Sequence, residues 1–183
     1  MIGLGKWFFL VCIVGSSLPL CVYAQPRPAA AEEEFFAFFN RVCLLTMPRL
    51  DKVRAIARLS QWKPVKGDLA TLMAPADSAS TGEGWAVVEG GRSMYVGISE
   101  GKLDGRKMVI CAALGTKFDS SELVKIIESN RGSSALSDEV ENLQRYRVWK
   151  GSVSGQQVLI QLTTAADDTV AGGTLAVMAR APN

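Results

Sequence analysis

Apolar positions along the chain follow two periodicities, and the order of these periods defines the expected elements. In EEEFFAFFNRVCLLTM the residues Phe36, Phe39, Cys43 and Met47 recur at three- or four-residue spacing and share one face. That spacing is helical. Three acids in the first turn, from Glu32, suit the positive end of a helix dipole. The residue before Pro48 is steered away from helical geometry, so this helix should end near Thr46. In LDKVRAIARLSQW, residues Leu50, Val53, Ile56, Ala57 and Leu59 form the stripe of a second helix. Lys52, Arg54 and Arg58 then lie on its wet side. Residues 63–84 carry breakers and small polar side chains, and read as mostly loop with room for one helical turn.

The period then changes to two. WAVVEGGRSMYVGIS reads as a hairpin, because Gly90 and Gly91 accept the positive φ angles of a two-residue turn. That turn pairs Glu89 with Arg92, Val87 with Met94 and Trp85 with Val96. Apolar side chains then gather on one face beneath an ion pair at the turn, while Ser93, Tyr95 and Ser99 take the other. EGKLDG turns the chain into a third strand, RKMVICAAL. Asp119, Ser120, Ser121 and Glu122 open a third helix in the manner of a capping box. Leu123, Ile126 and Ile127 give that helix its apolar face, and Gly132 suits its stop. A polar segment, SSALSDEVEN, leads to three further strands, NLQRYRVWK, QQVLIQLTT and GTLAVMARA. The expected order is α-α-β-β-β-α-β-β-β. It describes an α+β fold, with a mainly antiparallel sheet of about six strands and helices packed on one face. Two β triplets hint at a duplicated half, though no residue-level repeat accompanies them.

The first residues change the picture of where this domain resides. MIGLGKWFFLVCIVGSSLPLCVYA has a basic start, a short apolar core and small residues at its end, the order of a secretory signal peptide. Its apolar core is shorter than the roughly 20 residues of a bilayer span. We expect residues 1–24 to be a signal peptide, 25–31 a linker with two prolines, and 32–183 a single α+β domain. The mature chain would begin at Gln25 in the periplasm or outside the cell, with no membrane span after signal removal. Removal also takes away Cys12 and Cys21 and leaves Cys43 and Cys111. An even number of cysteines in an exported chain reads as a disulfide framework. Cys43 lies on the apolar face of the first helix, and Cys111 shares a strand face with Val109 and Ala113. A Cys43–Cys111 bridge would staple helix to sheet; the alternative is two buried free thiols.

A phenylalanine-rich helix with one cysteine, then Trp62-Lys63-Pro64, and later the Cys111-Ala112 strand, resembles small exported proteobacterial proteins of unknown function. The resemblance covers about residues 35–115. It implies an envelope location and a disulfide, and it brings no activity.

Composition narrows the chemistry. The chain of 183 residues has 20 Lys+Arg against 18 Asp+Glu and a net charge of +2, too balanced for a generic nucleic-acid binder. It contains no histidine, which removes Ser-His and Cys-His catalytic pairs. Two cysteines without histidine make a poor zinc site. No metal, cofactor or complete catalytic motif is therefore expected. Ser60 and Lys63 have a serine-x-x-lysine spacing but lack its companion elements, and GSVSG at 151–155 places Val153 where an elbow needs serine. Asp138, Glu139 and Glu141, or Asp167 and Asp168, could form an acid/base pair but sit in polar connecting segments. In RYRVWK, alternation puts Arg145, Arg147 and Trp149 on one face, a residue set common where proteins hold partners. The bland alternative for these three is arginine stems covering sheet surface. The expectation is an exported, non-enzymatic module binding an envelope protein or a cell-envelope ligand. The alternative is a hydrolase using the Ser-Lys pair or paired carboxylates.

Overall fold

The helices bury the stripes read from the sequence only in part: Phe39, Leu50, Val53, Ala57, Leu123 and Ile127 are buried, but the first helix also turns Phe35, Phe38 and Val42 inward, and Leu59 is 81% exposed. In the computed structural model, which describes residues 30–65, 81–103, 105–130, 133–167 and 170–182, α1 runs Ala31–Val42 and buries Phe35, Phe38, Phe39 and Val42. A 3-10 turn, Leu44–Thr46, leads to α2, Leu50–Leu59, which buries Leu50, Val53 and Ala57. The third helix, α3, spans Ser120–Ser129. The Asp119 side chain caps it, accepting hydrogen bonds from the backbone N–H groups of Ser121 and Glu122. Leu123 and Ile127 of α3 are fully buried. Residues 1–24, expected to be a signal peptide, Gly132 and most of the 63–84 segment lie outside the described residues.

The described residues form eight strands in one antiparallel sheet: β1 Lys63–Val65, β2 Thr81–Glu89, β3 Arg92–Leu103, β4 Arg106–Gly115, β5 Ser134–Glu141, β6 Gln144–Val153, β7 Gln156–Ala165 and β8 Gly173–Arg180. Their spatial order is β1-β2-β3-β4-β8-β7-β6-β5. Two four-stranded meanders thus meet at their last strands, β4 and β8. From β4 the chain must cross four strand spacings to β5, about 19 Å. α3, ten residues and about 15 Å long on the helical rise, belongs to that connection.

This architecture corrects the α+β expectation of about six strands. The molecule is sheet-dominated, with 52% of the described chain in strands against roughly 27% in helices. The two missed strands are the sheet's edges. β1 has only three residues and contains Pro64, a residue that strand edges tolerate. β5 is exposed along almost its whole length and carries Asp138, Glu139 and Glu141. An edge strand buries little, so it shows no alternation of apolar and polar residues. Its sequence alone has the character of a polar connection.

One face of the sheet carries the main core. Val96, Ile98, Val109, Cys111, Ala113, Ile160, Leu162, Leu175 and Val177 join the buried residues of all three helices in a single cluster. Burying each of its large side chains contributes about 1.5–3 kcal/mol. Cys43, at the end of α1, is bonded to Cys111 of β4 with Cα atoms 5.3 Å apart. The β2–β3 hairpin has the expected register, with Glu89 opposite Arg92 and Trp85 opposite Val96. Gly90 and Gly91 hold φ angles of 59° and 76° at its turn. The ion pair at that turn is different. Glu89 bonds Arg41 of α1, and Arg92 lies 3.0 Å from Glu34, so both hairpin charges tie the sheet to α1 instead of each other.

The opposite face has its own smaller cluster. Ile110, Ala112, Ala176 and Met178 pack with Met108, Leu114 and Leu159, and no described helix contributes to it.

Candidate functional site

Arg145, Arg147 and Trp149 do share a face of β6, and it is the face toward the main core. Trp149 is only 2% exposed and belongs to that core; Arg147 is 9% exposed. Arg145 donates two hydrogen bonds of 2.7 Å to the Asp138 carboxylate, and Arg147 Nε lies 3.5 Å from the same group. Those donors, Arg145 first, hold the Asp138 carboxyl below the usual aspartate range. Asp138 is thus a counter-ion, with no raised affinity for a proton. The indole Nε1 of Trp149 and the hydroxyl of Thr164 are buried without a hydrogen-bond partner among the described residues.

The other catalytic candidates are dispersed. Ser60 caps the end of α2 and Lys63 opens β1, both exposed. Glu139 follows Asp138 along β5 and so projects from the opposite sheet face. Val153 is buried. Asp168 lies outside the described residues. Among the described residues no group of three or more His, Cys, Asp or Glu could hold a metal ion.

A different set of side chains is brought together on the smaller-cluster face, by strands distant in sequence. Met108 stands opposite Arg180 in the β4–β8 pair, and Ile110 opposite Met178. Met178 stands opposite Leu159 in β7–β8, and Leu159 opposite Lys150 in β6–β7. Arg106 precedes Met108 by two residues and so shares its face. Arg106, Lys150 and Arg180 therefore converge at one end of four neighbouring strands. With Gln157, Met108, Leu159 and Met178 they line a cleft of about 230 Å³. Its rim is exposed and cationic, while its floor is half-buried or buried thioether and leucine side chain.

Charge sets this cleft apart. None of the three cations has a carboxylate partner among the described residues. The positions of β4, β6, β7 and β8 on this face carry no acid at all. The contrast is a cavity of about 340 Å³ beside α1, lined by Glu34, Arg41, Glu89 and Arg92. Those four charges already form two ion pairs with each other. A charged ligand there would have to break existing bonds, whereas an anion in the Arg106–Lys150–Arg180 cleft gains new ones. Guanidinium groups suit that task, since their planar forks match carboxylate and phosphate oxygens.

Sequence reasoning missed this group because its members lie on three strands whose adjacency follows from the strand order. One signal was present: alternation in RYRVWK sends Lys150 to the face opposite Trp149, and in RKMVICAAL it sets Arg106 with Met108. Compared with protein-family models, curated proteins and solved structures, the chain matches none. The disulfide is compatible with an exported protein. No helix among the described residues is long and apolar enough to cross a membrane.

Proposed function

We propose that the protein is an exported, non-enzymatic module of the cell envelope that binds an anionic ligand in the cleft of Arg106, Lys150 and Arg180. The observation that carries this reading is the convergence of three cations, none with a carboxylate partner among the described residues, over one cleft. Solvated lysines and arginines scattered over a surface do not line a common concavity. Export is supported by the signal-like start and by the disulfide, and N-terminal sequencing of envelope material should find Gln25 first.

Methionine-methyl NMR tests the binding site directly, with inorganic pyrophosphate as the probe. Met108 and Met178 line the cleft, while Met47 and Met94 lie buried in the main core. Pyrophosphate should shift the first two signals saturably and leave the second two in place. No shift, or equal shifts at all four, would overturn the reading.

A further inference from the structure

We infer that the anion taken by this cleft is the headgroup of a single-chain amphiphile, a molecule with one phosphate- or carboxylate-bearing end and one hydrocarbon tail. This rests on the proposed function and specifies its ligand. The cationic rim accounts for an anion, but the floor does not suit a wholly polar one. Beneath Arg106, Lys150 and Arg180 lie Met108, Leu159 and Met178, with Gln157 the one neutral polar side chain in the lining. A sugar seated there would turn hydroxyls toward thioether and leucine side chains. Each hydroxyl stripped of water without a partner costs binding free energy. A hydrocarbon segment instead gains from the same surface. Methionine is well fitted to it, being flexible and polarisable enough to adapt to an irregular chain. Met108 and Leu159 are half-buried, so part of their apolar surface remains to be covered.

The occupant is an individual amphiphile and not a bilayer surface. The exposed large apolar residues of the described chain, Leu45, Leu59, Val88, Leu136, Val140, Leu143 and Val170, include none that lines the cleft. A protein that docks on a bilayer through this site would ring it with such residues. The volume of about 230 Å³ limits the buried part of the tail to a short segment next to the headgroup.

Calorimetric titration of the mature protein with alkyl phosphates, from ethyl to octyl and below their micellar concentrations, tests this. Each methylene that enters the cleft should tighten binding by up to about fourfold, and the gain should level off once the cleft is filled. Octyltrimethylammonium, with the same tail and the opposite charge, should not bind. Leu159→Gln should flatten the chain-length dependence. Should that variant fail to fold, Met108→Gln reads the same floor. Pyrophosphate binding with no dependence on chain length would overturn the amphiphile inference and leave the proposed function standing. A dependence unchanged in the folded floor variant would also overturn it, as would binding to anionic vesicles without binding to the monomeric phosphates. No response to pyrophosphate or to any alkyl phosphate would remove both.

Discussion

Cys43 at the end of α1 and Cys111 in the middle of β4 are joined, with both side chains fully buried and their Cα atoms 5.3 Å apart. The bond ties the first helix to a central strand across a sequence separation of 68. Closing a loop of that size restricts the unfolded chain by about 4 kcal/mol in the entropy model. Urea denaturation with and without reductant should therefore show a lower midpoint for the reduced protein. C43A/C111A should lose stability of that order. Non-reducing peptide mapping should recover one linked pair of fragments. Equal midpoints would mean that the bond is not a stabilising staple.

Trp149 supplies a second test, of core against surface. It stands opposite Ile160 and is 2% exposed in the main cluster. Trp149→Ala should cost about 3–5 kcal/mol, the usual range for deleting a buried aromatic. Thermal melting reads this directly. A loss under 1 kcal/mol would show that the indole is not part of the packed core.

How much of this was legible in the sequence depends on how much each residue buries. Leu123 and Ile127, or Val158, Ile160 and Leu162, repeat at the period of their element because one side of that element is packed. Gly90 and Gly91 were legible for another reason: few residues other than glycine accept their φ angles, so the turn fixes the hairpin register. β5 was illegible because its side chains are solvated on both faces. The ion pairs at the hairpin turn were misread because Arg41 and Glu34 reach it from a helix some fifty residues away. The cleft needed still more. Lys150 and Arg106 line one cleft only because β8 inserts between β4 and β7, a relationship that strand patterns do not encode.

Acid should weaken the Asp138 network. Hydrogen bonds from Arg145, with Arg147 beside them, depress the carboxyl below its ordinary value of 3.8. A group depressed in the folded state stabilises it fully above the unfolded value, and that contribution is lost as pH falls through the folded value. Wild type should exceed Asp138→Asn in stability at neutral pH, and the difference should shrink as pH drops below about 4. With Asp138 45% exposed, the difference should stay within about 1 kcal/mol. Urea midpoints measured between pH 7 and pH 2.5 would show it. A constant difference over that range would mean that the ion pair is not the cause.

The cationic rim is the centre of this account, and one comparison tests it most directly. Wild type and R106Q/K150Q/R180Q should be titrated with pyrophosphate while the Met108 and Met178 methyl signals are followed. All three substitutions lie on exposed side chains with no carboxylate partner among the described residues, so the circular dichroism spectrum should not change. The account predicts at least a tenfold weaker affinity in the triple variant, since charge-assisted hydrogen bonds contribute about 1.5–3 kcal/mol each when well formed. Equal affinity in a folded triple variant would contradict it.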